Sequence, residues 1–347
     1  MTCSPVVTQP HVYIVILNWN GWRDTVECLE SVFKLDYPSF TVVVCDNASS
    51  DGSMTKIQDW ADGRVAAECS SADLTRLIEP PAPKPLRFIV AAAREAQSDP
   101  AARLVLIQTG SNLGFAGGNN VGIRYALARG HRGYVWLLNN DTLIEPDSLS
   151  ALVQMAQTDS MLGICGSLLR DYAAPHDIQT TGRRYSPWSG RTSAFKERTD
   201  AASAGPGRSG YIVEGASMLV SGEFLERVGL LEESYFLFFE ELDWMTRADS
   251  IFHFGYSPAS VVYHKTGASI GSAIARTSRS PLSEFYQTRN RLVFTRRHHP
   301  WFFLCVLLAV SFSAVQRIFI GKPANAGAIL RGALASLSPA RSKGQAL

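Results

Sequence analysis

Residues 12–21 read VYIVILNWNG and residues 41–52 read TVVVCDNASSDG. Each is a short β-branched run that stops abruptly at Asn, Asp, Ser or Gly. A run apolar at consecutive positions, rather than at alternate ones, predicts a strand buried on both faces, as in a parallel sheet covered by helices. Between the two runs, Trp22–Phe33 is apolar at 22, 26, 29, 32 and 33, the spacing of a helix face. Ser53–Trp60 reads as a second helix. Leu104–Ile107 and Tyr134–Leu138 repeat the buried-strand pattern, with a helix near Gly118–Leu127 between them. The β-α-β-α alternation predicts an α/β domain on a mainly parallel sheet. One long segment, 61–103, interrupts it. It holds Pro80, Pro81, Pro83 and Pro85, then a strand over Leu86–Val90 and an Ala-rich helical stretch over Ala91–Gln97. It reads as an insertion decorating the sheet edge.

The 347 residues are 46% hydrophobic and 18% charged, which excludes a largely disordered chain and allows a sizeable core. The net charge of +2 gives no reason to expect a nucleic-acid partner, but its distribution is uneven. From Arg276 onward there are 11 Lys and Arg against one acid, Glu284, whereas 22 basic residues face 30 acidic ones before it. A body near −8 thus carries a tail near +10. Such asymmetry predicts a basic region facing an anionic surface. The six cysteines form no CxxC or Cys/His ligand spacing, so no zinc site is read, and Cys28, Cys45 and Cys165 fall in apolar stretches as small buried hydrophobes. Residues 1–10 have neither a charged n-region nor an apolar h-region, so no signal peptide is read and a reducing cytoplasm fits.

In open α/β sheets ligands sit beyond the carboxyl ends of the strands. The polar clusters fall there. Asn18 and Asn20 follow the first strand; Asp46, Asn47 and Asp51 follow the second; Asn112, Gly117, Gly118, Asn119 and Asn120 follow the third; Asn140 and Asp141 follow the fourth. One such cluster alone reads equally well as a turn. The glycine segment is neither GxGxxG nor a P-loop, so nicotinamide and ATPase readings lack support. It still offers backbone N–H groups and a helix start to an anion. Asp141 offers a hard oxygen ligand suited, beside diphosphate oxygens, to Mg²⁺ or Mn²⁺. Further on, Phe236-Leu237-Phe238-Phe239 precedes Glu240, Glu241 and Asp243, and His264 ends a short apolar strand. A carboxyl beside aromatics can be raised towards the working range of a general base; the plain alternative is a helix first turn favoured by the dipole.

The strings VILNWNG, VCDNASSDGS, NLGFAGGNNVGIR, VWLLNNDT, FLFFEELDW and VVYHKTGASIGS, in that order, span about three quarters of the chain. Together they resemble the family 2 glycosyltransferases of GT-A fold, in the branch that includes bacterial rhamnosyltransferases. The resemblance implies a GT-A nucleotide-sugar-binding domain over 1–275 and an inverting hexosyl- or rhamnosyltransferase acting in cell-surface glycan synthesis. It implies that Asn18, Asn20, Asp46, Asn47 and Asp51 line the base and ribose pocket. It implies also that 112–120 closes over the nucleotide, with Asn140 beside it. Asp141 would be the remaining acid of a DxD motif that reads Asn139-Asn140-Asp141 here, with His264 completing a metal or phosphate site. The acceptor-deprotonating base would be the second acid, Glu241, with Asp243 supporting it or holding acceptor and Glu240 capping the helix. A nucleotidyltransferase is an alternative, but no glycine-rich loop with an activating Lys or Arg follows the first strand. A nucleotide- or glycan-binding protein with weakened catalysis is a third reading, on the strength of the reduced DxD motif.

The region 276–347 reads as a basic, apolar, helical segment. Trp301–Val315 carries no charge over 15 residues, short of the roughly 20 that a span needs, with Arg296 and Arg297 before it and Arg317 and Lys322 after. This pattern predicts a helix lying in or dipping into the inner face of the plasma membrane, and the resemblance implies a glycan or lipid-linked acceptor. Burial or a contact between copies of the chain is the alternative.

Overall fold

The computed structural model describes residues 9–92, 99, 101–196, 210–265 and 279–337. Most of the expected helix over 91–97 and the GASIGS end of the last motif lie outside the described residues.

The first half follows the expected alternation. β1 (Val12–Asn18), α1 (Trp22–Val32), β2 (Phe40–Asp46), α2 (Ser53–Ala61), β3 (Phe88–Ala92), β4 (Leu104–Gln108), α3 (Gly114–Leu127) and β5 (Tyr134–Asn139) succeed one another. Then come β6 (Thr142–Ile144), α4 (Ser148–Thr158), β7 (Leu162–Asp171), β8 (Ile178–Thr180), β9 (Arg183–Ser186), β10 (Arg191–Ala194), β11 (Tyr211–Ile212) and β12 (Ser217–Ser221). The chain continues through α5 (Gly222–Val228), α6 (Glu240–Ala248), β13 (His253–His264), α7 (Pro281–His298), α8 (Phe303–Phe319) and α9 (Pro323–Ala335). The large sheet runs β3-β4-β2-β1-β5-β12-β7-β13-β6, with β8 on β7. Its first five strands are mutually parallel, and β12 enters antiparallel between β5 and β7. The proline-rich segment supplies β3, which lies at the sheet edge beside β4.

Consecutive apolar residues bury both faces of the sheet. On β1, Ile14 and Ile16 pack with α1 and α2, while Val15 packs with α3. Each such side chain contributes about 1.5–3 kcal/mol by leaving water. Register aligns the strand ends. Asn18 pairs with Asp46, Asp46 with Gln108, and Leu17 with Asn139. The polar residues that stop the strands therefore form one row along the carboxyl edge. α3 lies close on β1 because glycines face it. A Cβ on Gly118 would meet Leu17 Cδ1 at 2.3 Å, and one on Gly122 would meet Val15 Cγ1 at 2.4 Å. β9, β10 and β11 form a small separate sheet, and α7, α8 and α9 pack on one another.

Candidate active site

A cavity of about 1300 Å³ opens beyond the carboxyl edge of the sheet. Leu17, Trp19 and Asn47 line it from the ends of β1 and β2, Asn112 from the start of α3, and Asn139, Asn140 and Asp141 from the β5–β6 turn. His264 reaches it from the end of β13, and Glu240 and Glu241 from the start of α6.

Asp141 and His264 form its buried polar centre. His264 Nε2 lies 3.3 Å from Asp141 Oδ1, while Nδ1 faces Gln179 Oε1 at 2.8 Å. Burial would raise the Asp141 carboxyl, but the charge and hydrogen bond of His264 outweigh it and hold it below its usual range. Burial would likewise lower the imidazole, and Asp141 outweighs that, so His264 titrates above the usual histidine value. The turn is anchored from behind. Asn140 Nδ2 donates to Thr25 Oγ1 at 3.0 Å, and the backbone N–H of Lys265 donates to the Asp141 carbonyl at 3.0 Å. Lys265 Nζ also grips Asp24 at 2.6 Å and Glu27, tying α1 to the strand that ends in His264.

The aromatic run before the acids is a strained loop. Phe236, Phe238 and Phe239 have φ of 63°, 67° and 75°, each a left-handed conformation that costs a side-chain-bearing residue roughly 1–2 kcal/mol. One side chain offsets much of that cost. Asn290 Nδ2, from α7, donates to the carbonyls of Tyr235, Leu237 and Phe238 at 2.8, 2.7 and 3.0 Å. The loop also packs on α3. The N–H of Phe115 donates to Phe236 O at 2.7 Å, and Gly114, at φ 71°, leaves no room for a Cβ beside that carbonyl.

The three acids at the start of α6 part company. Glu240 is buried, and its Oε2 has no hydrogen-bond partner among the described residues. Burial and the neighbouring Glu241 push its carboxyl well above the ordinary range. Glu241 is half-buried, raised by burial and by Glu214 and moderated by Arg183, to about 7. Arg183 pairs with Glu214 at 2.9 Å, and Gly215 provides the room, since a Cβ there would meet Glu241 Oε1 at 2.7 Å. Asp243 does not line the cavity. It is fully buried on the other side of the helix, held by Arg247 at 2.8 Å, His298 at 2.8 Å and Tyr235 at 3.3 Å. Glu240 is the first helical residue, and the position before it, Phe239, makes no side-chain cap.

The remaining expected residues shape the rim from behind. Asn18 and Asp46 are fully buried and bond each other at 2.6 Å, and Asp46 also takes a hydrogen bond from Gln108 at 2.9 Å. Asn47 holds the start of α3 by donating to Asn112 and Gly114 and accepting from the Leu113 N–H. Asn20 is exposed and accepts from Ser50 N–H, and Asp51 accepts from Ser53 at the start of α2. Gly117, Gly118, Asn119 and Asn120 sit within α3 and do not line the cavity. Asn119 donates to Phe115 O, and Asn120 bonds Leu231 and Glu233. Of the glycines expected over the nucleotide, Gly118 lies against Leu17 of β1 and Gly117 against Leu113. Gln179, Arg183, Glu214 and Asn290 belong to the site or its support without any signal in the sequence, since each lies alone among unrelated residues.

Residues 87–281 match glycosyltransferase like family 2. The chain belongs to that family. It is 28% identical over 147 residues to the low-salt glycan biosynthesis hexosyltransferase Agl10 of Haloferax volcanii, a match covering 41% of this chain and 45% of that protein. It therefore spans less than half the length of that relative. Its fold is similar to the mannosyltransferase PcManGT of Pyrobaculum calidifontis, solved with GDP-Man and Mn²⁺ (TM-score 0.52, 14% identity, 95% of this chain and 88% of that one). It is similar also to residues 1–349 of Staphylococcus aureus TarS with UDP-GlcNAc (TM-score 0.51, 13% identity, 93% and 81%). The chain thus has the GT-A fold expected from its motifs, with one long apolar C-terminal helix.

Proposed function

We propose that the protein transfers a hexosyl or deoxyhexosyl group, with inversion, from a nucleotide-diphosphate sugar to an acceptor hydroxyl. The observation that carries this reading is the presence of the Asp141–His264 pair and the raised Glu240–Glu241 pair in the walls of one cavity at the carboxyl edge of the sheet. Two titratable pairs with opposite shifts suit two tasks, charge compensation and proton removal.

Among the described residues no group of three metal-ligating side chains occurs. Two do converge, Asp141 and His264, and Gln179 fixes the imidazole so that Nε2 faces the carboxylate. An oxygen and a nitrogen donor would suit a Mg²⁺ or Mn²⁺ ion held together with the donor's diphosphate. Such an ion supplies charge stabilisation to the leaving diphosphate. Asn47 and Asn112 hold the cavity's nucleotide side. Glu241 accepts the proton of the acceptor hydroxyl as its oxygen attacks the anomeric carbon and the bond to the diphosphate breaks. Glu240, kept protonated by burial, cannot act as base and keeps the proton sink at its neighbour. The single displacement accounts for inversion. The setting is synthesis of a bacterial cell-surface glycan at the cytoplasmic side of the plasma membrane, supported by the basic, apolar C-terminal helices.

Incubating the protein with GDP-mannose, UDP-N-acetylglucosamine and dTDP-rhamnose, with and without Mn²⁺, and measuring nucleoside diphosphate release tests the reading. Mn²⁺-dependent release from one donor is expected. Absence of binding to all three nucleoside diphosphates in the presence of Mn²⁺ would overturn it.

A further inference from the structure

The insertion between α2 and β4 touches both edges of the large sheet. Its strand β3 lies at one edge, and a 3₁₀ turn, Ala72–Leu77, packs against β6 at the other. There Leu74, Leu77 and Ile78 form a buried cluster with Leu143 of β6, Tyr172 and Tyr263. The crossing is fastened on α1. Glu30, buried in that helix, accepts from Trp60 Nε1 at 2.7 Å, from Lys84 Nζ at 2.8 Å and from the backbone N–H of Ala82.

From that edge two chains of contacts run to the residues on either side of His264. Side chains alternate along a strand, so His264 faces the cavity while its neighbours Tyr263 and Lys265 point away from it. In the first chain, Arg76 donates to both carboxylate oxygens of Glu145, and the Tyr263 hydroxyl donates to Glu145 Oε1 at 2.8 Å. In the second, the Tyr172 hydroxyl accepts from the Ser70 N–H at 3.1 Å and donates to Glu27 Oε1 at 2.6 Å. Glu27 is buried and pairs with Lys265, whose ammonium also stands 4.8 Å from the centre of the Tyr172 ring. Tyr172 meets His264 directly as well, since its backbone N–H donates to the His264 carbonyl at 3.2 Å. The Lys265 N–H in turn holds the Asp141 carbonyl at 3.0 Å. Breaking one link of a buried network leaves its partners unsatisfied, so these contacts resist displacement. The backbone on both sides of His264 therefore hangs from the insertion, and a shift there moves the imidazole relative to Asp141.

We propose that the insertion is a brace for His264, with Tyr172 and Tyr263 as positioning residues that keep Nε2 facing Asp141. This inference rests on the glycosyltransferase reading, in which Asp141 and His264 hold a divalent ion on the donor's diphosphate, and it gives the insertion a part in that task. Where two side chains converge on an ion, its affinity depends on how closely their spacing is fixed before it binds. The insertion supplies that fixity from outside the sheet.

The test compares the full-length wild type with Tyr172→Phe, which removes the hydroxyl and keeps the ring and the backbone N–H. Two quantities are measured. One is amide hydrogen exchange at residues 172 and 265 in metal-free protein. The other is Mn²⁺ affinity by isothermal titration with GDP, UDP or dTDP present at saturation. Exchange at both amides should quicken severalfold, and Mn²⁺ affinity should fall about tenfold, the lower end of what partners behind a metal ligand govern. Tyr263→Phe, in the other chain of contacts, should move both quantities the same way. Arg64→Gln, which breaks exposed pairs with Asp59 and Asp62 away from the brace, should move neither. A lowered thermal midpoint with exchange unchanged at both amides would make Tyr172 a stabilising residue only and overturn the proposal. Unchanged Mn²⁺ affinity in Tyr172→Phe, where the wild type binds the ion, would overturn it too. If the wild type binds neither Mn²⁺ nor any of the three nucleotides, the glycosyltransferase reading fails, and the exchange comparison still decides the brace.

Discussion

His264 Nε2 faces Asp141 Oδ1 at 3.3 Å, joining the end of β13 to the turn after β5. The two residues come from distant parts of the chain and meet because β13 and β6 pair antiparallel, with His264 opposite Thr142. Sheet register, rather than loop placement, therefore fixes the polar centre of the cavity.

Asp141 supplies the only carboxylate of the Asn-Asn-Asp turn. Asp141→Ala should lower transfer by about two orders of magnitude or more at saturating donor and Mn²⁺, the scale of losing a preorganised electrostatic contact. Steady-state kinetics at saturation checks this, and turnover near wild type would remove Asp141 from the site.

Gln179 orients the imidazole through Nδ1. Partners behind a metal ligand typically govern about 10–100-fold in metal affinity. Gln179→Leu should weaken Mn²⁺ activation by a factor in that range and leave the thermal midpoint of metal-free protein within a few degrees. Isothermal titration with Mn²⁺ and nucleoside diphosphate reads the first quantity.

Glu241 titrates near 7, so the base form accumulates above that pH. Turnover at saturating donor should rise with pH through about 7, and Glu241→Gln should abolish it while donor binding persists. Stability should run the opposite way. A carboxyl raised by the fold adds stability below its ordinary range and loses it as pH climbs to about 7. Glu241→Gln should therefore be at least as stable as wild type at alkaline pH. A pH-rate profile paired with melting curves tests both signs.

Asp243 is a fastening between α6 and α7. Burial would raise its carboxyl, but hydrogen bonds from His298 and Arg247 hold it below its usual range. Its contribution is present above the ordinary carboxylate range and disappears as pH falls through the depressed value. Asp243→Ala leaves the Arg247 guanidinium and the His298 ring without their carboxylate partner and should cost about 3–5 kcal/mol in urea unfolding. A loss of turnover with unchanged stability would instead put Asp243 in the chemistry.

Gly118→Ala would set its Cβ 2.3 Å from Leu17 Cδ1. Overpacking of this kind costs about 1–3 kcal/mol. Leu17→Ala should recover part of the loss in the double variant, because the clash is pairwise. Chemical denaturation of the single and double variants measures the coupling.

The strand ends were legible because the β-branched runs stop at Asn or Asp, and the register that aligns Asn18 with Asp46 follows from those runs. The edge position of β3 followed from its isolation by prolines, although the strand sits two residues later than its apolar start suggested. The Ala91–Gln97 reading failed at its start, since Ala91 and Ala92 complete β3 by pairing with Ile107 and Gln108. Helix propensity there yields to sheet pairing. The glycines of α3 were visible as a cluster, but not whether they faced a ligand or β1, because a missing Cβ serves either purpose. Asp243 was grouped with Glu240 and Glu241 by proximity in sequence, whereas α6 turns it towards Arg247 and His298. Gln179 and Asn290 could not be found, because each acts through contacts that only tertiary structure creates.

Tyr235, Leu237 and Phe238 precede Asn290 in the chain, and it is the residue whose amide ties all three of their carbonyls to α7. Asn290 lies beyond the last strand of the large sheet, so the loop leading to the carboxylates is tied down by a helix that follows every strand. Placing Glu240 and Glu241 at the cavity therefore calls on α7 and not on the sheet alone.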